Sequence, residues 1–592
     1  MKRSRSGVSP EPPPDLADPR TPPGKDGTVD NSPHDLFYRR ERSRRVAAYG
    51  VAAFGVLGLL SAASRPMRGR LESLLQVFPF LIPRTAAVTL VFVSFALLLT
   101  ARGLRRGHHL AWLAALSLLV VSVALHVVKA IDVEEAVLAT AGAVWLASHR
   151  DAFPVSPSRS VTHRALVLAI GGGLATLVVA IGLSATVGQS QRHDVENTPH
   201  SIAERFGADD IFPLRLGGHF GTVLLIALEL GLVGSTLWVL LSPRVFAPIT
   251  GDAHRAERER ARELVNRFGG GSLDYFALRD DKQWFFTANS VVAYTVRAGV
   301  ALVSPDPIGP LDERAPTWAA FMSRAENSGW SVAVLGAAPD WLPVYERSGL
   351  RAVYLGDEAV VDCAQFSLEG GAMKSVRQAY NRVGRAGYTA TFHDPADLDA
   401  ALDVELRELA AISRRGEAER GFSMTLSRLF DPADTGLLLS VARDADGVPQ
   451  AFVQWVPARD LNGWSLDVMR RNTDADLPNG IMDFLVIETI KHVAAQGGGG
   501  LDLNFAVLRT LVSGERTGFL SRLTRATPAA GSGRAEIESL WRFNAKYQPR
   551  WVPRYAVLGS IDALASQGLA MANAEGITEL PVLGRFLNRT HR

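Results

Sequence analysis

The sequence predicts a two-part molecule: an N-terminal α-helical transmembrane bundle, then an α/β region built as two similar units in tandem. Three observations lead there. Over 592 residues the chain is 47% hydrophobic and 21% charged, with mean hydropathy +0.09, too apolar for an ordinary water-soluble protein and too long for one core. The long apolar stretches all lie before Leu241. After Pro243 short apolar runs alternate with amphipathic stretches, the pattern of strands and helices sharing one core.

Residues 1–43 are rich in Pro, Ser, Asp and Arg and nearly devoid of aliphatic side chains, so a disordered cytosolic tail is expected. The first apolar run starts only near Val46, after Arg39, Arg40, Arg42, Arg44 and Arg45, and reads as a retained anchor rather than a cleaved signal peptide. A membrane domain over 44–243 follows, with about six apolar stretches near Val46–Ala63, Ala86–Ala101, Leu110–Val128, Val133–Ala147, Ala165–Val187 and Phe220–Leu241. Most approach the roughly 20 residues that cross about 30 Å of hydrocarbon. The fourth is short and flanked by Asp132, Glu134 and Glu135, which suits a tilted or half-inserted helix as well as a span. If six helices alternate, the first arginine cluster, the group Arg102, Arg105 and Arg106, and the group Arg150, Arg159 and Arg164 fall on one side, the cytosolic one. Arg65, Arg68, Arg70 and Arg84 fall in the opposite loop, where Leu71, Leu74, Leu75 and Phe78 suggest an interfacial helix.

The first α/β unit is placed at 258–386. Leu273–Leu278, Trp284–Ala288, Val291–Val296, Ser331–Leu335 and Ala352–Leu355 read as strands, with helices near Glu313–Asn327 and Leu342–Ser348. The second, at 387–560, starts with a strand at Tyr388–His393 and a helix at Leu398–Ser413. Strands at Leu437–Arg443, Ala451–Pro457 and Gly463–Met469 follow, then a helix at Ile481–Gln496 and a strand at Leu501–Phe505. Residues 561–592 read as a small helix and a loose tail.

Composition excludes several chemistries. A single cysteine, Cys363, rules out internal disulfides and cysteine-based zinc or iron–sulfur sites. Gly269-Gly270-Gly271-Ser272 lacks the P-loop lysine, and neither a serine nucleophile elbow nor paired-histidine metal spacing occurs. No metal or organic cofactor is expected. The formal charge is +3 with a pI of about 9.0, so any strongly basic surface must be local.

Three segments are candidates for chemistry. Helical spacing sets Lys374, Arg377, Asn381 and Arg385 on one stripe with Arg382 beside it, suited to a polyphosphate partner such as RNA or lipid headgroups; a solvated helix face has the same pattern. In the strand around Trp464–Asn472, alternation sets Asp467 opposite a Leu466/Val468 face, with Arg470 just beyond. The carboxylate suits orienting or deprotonating a nucleophile and the guanidinium suits a phosphate, although a structural Asp–Arg pair looks alike. The turn Pro478-Asn479-Gly480 opens a helix whose first N–H groups suit an anion. Finally, Arg542 and Lys546 share a helix face that Pro549 ends, before Trp551, Arg554 and Tyr555 enter a strand; basic residues interleaved with aromatics fit RNA or nucleotide stacking, and also an ordinary core.

Taken together, five motifs resemble the C-terminal catalytic region of the phosphatidylglycerol lysyltransferase family, also called multiple peptide resistance factors, over about Val265–Gly559. They are Asp306-Pro307-Ile308-Gly309, Lys374-x-x-Arg377-x-x-x-Asn381-Arg382, Asp467-x-x-Arg470, Gly480-Ile481-Met482-Asp483-Phe484-Leu485 and Phe543-x-x-Lys546-Tyr547-x-Pro549-x-Trp551-x-Pro553-Arg554-Tyr555. The resemblance implies two tandem GNAT-type acyltransferase folds, an aminoacyl-tRNA donor, a phosphatidylglycerol acceptor and a bacterial cell membrane location; a homo-oligomer is compatible with it. It also implies catalytic positions at Asp467, Arg470 and Lys546, and substrate contacts at Lys374, Arg377, Asn381, Arg382, Asp483 and Arg554. Two departures stand out: Asn544-Ala545-Lys546 replaces the Lys-x-Lys of many relatives, and the membrane half is shorter than the large flippase module of the full-length ones. The competing readings are a membrane-anchored lipid-binding or transport protein whose acyltransferase-like half is inactive, and transfer to another lipid acceptor.

Overall fold

The computed structural model describes residues 33–63, 81–130, 133–157, 159–190, 218–242, 249–415, 421–507, 541–559 and 563–575. Six helices fall on the six apolar stretches: α1 (Pro33–Ala63), α2 (Leu81–Arg105), α3 (His109–Ala130), α4 (Val133–Ser148), α5 (Arg159–Ser190) and α6 (Gly218–Leu240). Their core is rich in small side chains, among them Ala47, Ala101, Ala111, Ala115 and Ala143 around Val51, Leu97, Leu104 and Leu119, which lets backbones approach closely. At Gly55 α1 and α2 approach closely, since a Cβ there would lie 2.8 Å from Leu98 Cγ.

One expectation is revised here and another is met in part. The helix begins at Pro33, ahead of the expected end of the tail at Ser43. Proline is pre-organised for a first helical position, and Arg40 and Arg44 are held by Glu326 of the second half of the molecule at 3.5 and 2.5 Å. Of the six helices, only Arg39–Leu60 and Val161–Ile181 are long and apolar enough, among the described residues, to cross a membrane; the runs His109–Ala124, Ala136–Ser148 and Ala227–Leu240 are shorter. The interfacial helix expected around Leu71–Phe78 lies outside the described residues.

The α/β region opens with α7 (Gly251–Phe268), β1 (Gln283–Phe286), β2 (Val291–Arg297), β3 (Val300–Val303), α8 (Arg314–Ser328), β4 (Ser331–Ala337), α9 (Leu342–Arg347), β5 (Arg351–Asp362) and α10 (Lys374–Arg385). It continues with β6 (Thr389–His393), α11 (Ala400–Arg414), β7 (Leu438–Arg443), β8 (Pro449–Ala458), β9 (Gly463–Arg471), α12 (Ile481–Ala495), β10 (Gly500–Val507), β11 (Arg550–Leu558) and α13 (Leu564–Ala574). The expected strand at Leu273–Leu278 is instead a 3-10 turn over Asp274–Leu278. Asp274 accepts the N–H groups of Gly270 and Gly271 at 2.9 Å each, which tightens the chain. The continuous burial of Tyr275 through Leu278 has no period that separates strand from helix. The unexpected strand β3 follows a two-residue hairpin in which Ala298 and Gly299 both have positive φ, 51° and 81°; an alanine there hides the turn signal.

All strands join one sheet in the order β1-β2-β3-β4-β11-β5-β10-β9-β8-β7-β6. The last strand, β11, returns to lie antiparallel between β4 and β5, so a segment expected within the second unit completes the first. On the second half of the sheet, α10 and α12 cover one face through Val376, Ile481, Leu485 and Ile490 against Val453, Trp455 and Leu466. Helix α11 covers the other through Leu402, Leu406 and Leu409 against Phe452 and Val468.

Candidate active site

The site is organised by an opening in the sheet. Strands β9 and β10 run parallel but pair only at Leu501↔Trp464 and Asp502↔Ser465; beyond that they part. Asn504, at φ 69°, fills the start of the gap by donating to the carbonyls of Leu466 and Met424, each at 3.1 Å. Its own N–H donates to Asp502 Oδ1, while Ser465 Oγ donates to Asp502 Oδ2 at 2.7 Å. Burial, and then the nearby Glu358 carboxylate, pushes Asp502 well above the ordinary carboxylate range. Asn544 is buried behind this point, its Nδ2 3.4 Å from Leu503 O.

A bulge decides which side chains share a face. Register passes from Gln454↔Val468 to Trp455↔Leu466, so Asp467 is an extra residue on β9. The expected Leu466/Val468 face is therefore corrected: Leu466 packs with Trp455 beneath α12, and Val468 packs with Phe452 beneath α11. Arg470 pairs in register with Phe452, and Asp467 bonds Gln454 two residues further along β8. The bulge thus sets Asp467 and Arg470 on one face, which their spacing of three would otherwise place on opposite faces. Asp467 is buried, with Oδ1 accepting Leu426 N–H at 2.7 Å and Oδ2 accepting Gln454 Nε2 at 2.8 Å. Arg470 donates to Met469 O at 2.8 Å.

Lys546 lies on the α12 side. It pairs with Asp483 in the first turn of α12 and sits 3.9 Å over the Phe543 ring. Tyr547 donates to the same Asp483 oxygen at 2.6 Å, and burial, reinforced by that carboxylate, holds its phenol well above the ordinary range. Gly480 precedes this helix at φ 103°, where a Cβ would come 2.7 Å from Ala379 Cβ; α10 therefore rests directly on the start of α12. Along α10, which carries no acid, Lys374, Asn381, Arg382 and Arg385 are exposed. Arg377 turns back onto the carbonyls of Leu368 and Gly370, and Arg382 donates to Asn479 O at 3.2 Å. Tyr380 and Lys491 both bond Glu488, tying α10 to α12.

Arg554 lies inside the sheet rather than at a surface. It donates to Glu358 Oε2 and Ser272 Oγ, each at 2.9 Å, so its charge is met by protein carboxylates. Asp306, from the Asp306-Pro307-Ile308-Gly309 loop, is likewise interior: it accepts from Tyr345 OH at 2.5 Å and Ala338 N at 2.8 Å, and burial pushes it up to about 7. Among the described residues no group of three or more His, Cys, Asp or Glu is placed to hold a metal ion.

The structure thus sets Asp467 with Arg470 on the α11 face of the sheet, and Lys546 with Asp483 on the opposite, α12 face, at the helix start on which α10 rests. Sequence reasoning missed Gln454 and Asn504. An asparagine within an apolar strand, two residues after an aspartate, was the available signal for Asn504, because asparagine tolerates positive φ.

Among curated relatives the chain is 32% identical over 579 residues to the lysylphosphatidylglycerol biosynthesis bifunctional protein LysX of Mycobacterium marinum, covering 92% of this chain and 50% of that one. The LysX of Mycobacterium ulcerans is 36% identical over 391 residues, 65% of this chain and 34% of that one. The chain thus spans about half the length, or less, of these relatives. Among solved structures, the C-terminal domain of a putative lysylphosphatidylglycerol synthetase from Agrobacterium fabrum aligns with 26% identity and TM-score 0.47, over 55% of this chain and 99% of that one. Residues 262–558 match the family described as phosphatidylglycerol lysyltransferase, C-terminal, and the chain belongs to that family.

Proposed function

We propose that this chain is an aminoacyl-tRNA-dependent phosphatidylglycerol aminoacyltransferase with lysine as the first candidate amino acid, built on two tandem GNAT-type units, the first at 258–386 completed by β11 and the second over the rest of 387–560, and facing the cytosolic leaflet of a bacterial membrane. Family membership supports the reaction class. The observation that carries the reading on this chain is the parting of β9 and β10, with a buried carboxylate and a guanidinium on one side and a lysine and exposed basic helix on the other. Helix α5 supports the lipid setting: Leu166, Val167, Ile170, Leu174 and Val178 are each more than half exposed, a surface that suits hydrocarbon.

The donor ester is already activated, so the protein must mainly bring a glycerol hydroxyl to the aminoacyl carbonyl and stabilise the developing oxyanion. The lipid oxygen bonds to the carbonyl carbon, the bond from that carbon to the ribose oxygen breaks, and the hydroxyl proton ends on the ribose. Asp467 orients that hydroxyl or takes its proton, Arg470 holds the lipid phosphate, and Lys546, aimed by Asp483, stabilises the tetrahedral oxygen or the departing ribose oxygen. Lys374, Arg377, Asn381 and Arg382 line the approach of the tRNA backbone, and Arg554 braces β11 between β4 and β5. Homo-oligomer formation is compatible with this scheme.

The test is incubation of the full chain in phosphatidylglycerol-containing vesicles with tRNA charged with radiolabelled amino acid. A labelled lipid that disappears after ribonuclease treatment of the donor is expected. Failure with every charged tRNA while phosphatidylglycerol is still bound would replace this reading with that of an inactive lipid-binding protein.

A further inference from the structure

The two halves meet at an arginine-rich junction. Arg44 is consumed structurally, pairing with Glu326 and donating to Ala152 O. The turn it crosses requires Gly107, at φ 74°, because a Cβ there would lie 2.7 Å from the guanidinium carbon. Glu41 is shared between Arg45 and Arg105. Arg106 is different: among the described residues no carboxylate pairs with it, and it lines two adjoining cavities. One, of about 270 Å³, lies between the ends of α1 and α2 and the α/β region. The other, of about 140 Å³, is a groove between α2 and α6 walled by Leu98, Leu99, Leu237 and Leu241 and rimmed by Arg102, whose guanidinium stacks 3.7 Å over Trp238.

Cations at the mouth of an aliphatic groove fit one kind of ligand, an amphiphile with an anionic head. A free phosphate makes no use of the leucine walls, and an RNA backbone has no chain to fill them. We propose that Arg106 and Arg102 bind the phosphate of an anionic phospholipid whose acyl chain lies along the groove between α2 and α6, at a site separate from the parting of β9 and β10. Such a lipid joins the helices to the α/β half at the membrane surface. The inference rests on the membrane setting proposed above from α5 and is independent of aminoacyl transfer.

The test uses the full chain in neutral detergent, equilibrated with an equal mixture of phosphatidylglycerol and phosphatidylcholine and freed of excess lipid; retained lipid is quantified by mass spectrometry with no tRNA present. Selective retention of phosphatidylglycerol is expected, with Arg106→Gln lowering it about tenfold, the effect of one lost charge-assisted contact, and Arg106→Lys restoring part. Leu237→Trp, which fills the groove without touching the cations, is expected to lower it as well. Phosphatidylglycerol carrying brominated chains should quench tryptophan emission in the wild type more than in Trp238→Phe. Equal retention of phosphatidylcholine, displacement by inorganic phosphate alone, or an Arg106→Gln variant that loses charged-tRNA binding but keeps its lipid would each overturn the proposal. Because lipid retention is read without donor, loss of transfer activity with retention intact counts against the catalytic reading only.

Discussion

Asp467 separates structural from chemical roles when two substitutions are compared. Its carboxylate accepts from Leu426 N–H and from the Gln454 amide, both in the interior. Asp467→Ala leaves both donors without that acceptor, at about 1–3 kcal/mol each, so the α/β half should lose several kcal/mol and melt about 5 °C lower or more. Asp467→Asn keeps one acceptor for Leu426. Gln454 Oε1, which has no partner among the described residues, can accept from the new Asn Nδ2 once the Gln454 amide flips. The cost is then the difference between charged and neutral hydrogen bonds, about 1 kcal/mol. If Asp467 acts on the lipid hydroxyl, Asp467→Asn should still lose about 100-fold or more in transfer rate, the usual share of a general base. Thermal melting of the purified chain and lipid labelling from charged tRNA give the two readouts. An Asp467→Asn variant keeping more than about a tenth of wild-type activity removes the catalytic role, and an Asp467→Ala variant melting like Asp467→Asn refutes the hydrogen-bond argument.

Glu326→Ala should strand the buried Arg44 guanidinium and loosen the docking of the helices, at about 3–5 kcal/mol, seen as faster proteolysis between the two halves, with Glu326→Gln intermediate. Asp306 binds its proton more tightly folded than unfolded, since burial raises it to about 7 from an ordinary 3.8. Its contribution is therefore fully present below about pH 4 and falls away as pH rises towards 7, by at most about 4 kcal/mol; Asp306→Asn should flatten that part of a melting-temperature profile. Gly480→Val combines a left-handed backbone with the contact to Ala379 and should cost about 2 kcal/mol or more. It should also weaken transfer by shifting α10 from α12, and unchanged melting and activity would show that this approach is not tight.

Local periodicity made much of this molecule legible in residue order alone. The six N-terminal helices, most of the strands and helices of the α/β region, the unneutralised stripe of α10 and the family of its C-terminal part can all be read from residue order. The exceptions were local too: the 3-10 turn at Asp274–Leu278, whose buried run has no period, and β3, whose turn places an alanine at positive φ. The features that residue order left open depend on pairing between distant segments. The bulge at Asp467 sets that residue beside Arg470 because β8 fixes the register, and a slip of one residue reverses every side chain on a strand. The return of β11 between β4 and β5 carries Arg554 into the interior, where Glu358, distant in sequence, meets its charge. Glu326 likewise looks like one more surface acid on α8 until folding brings Arg44 to it. Local patterns report which face is apolar; which partner covers that face is settled only when the chain closes on itself.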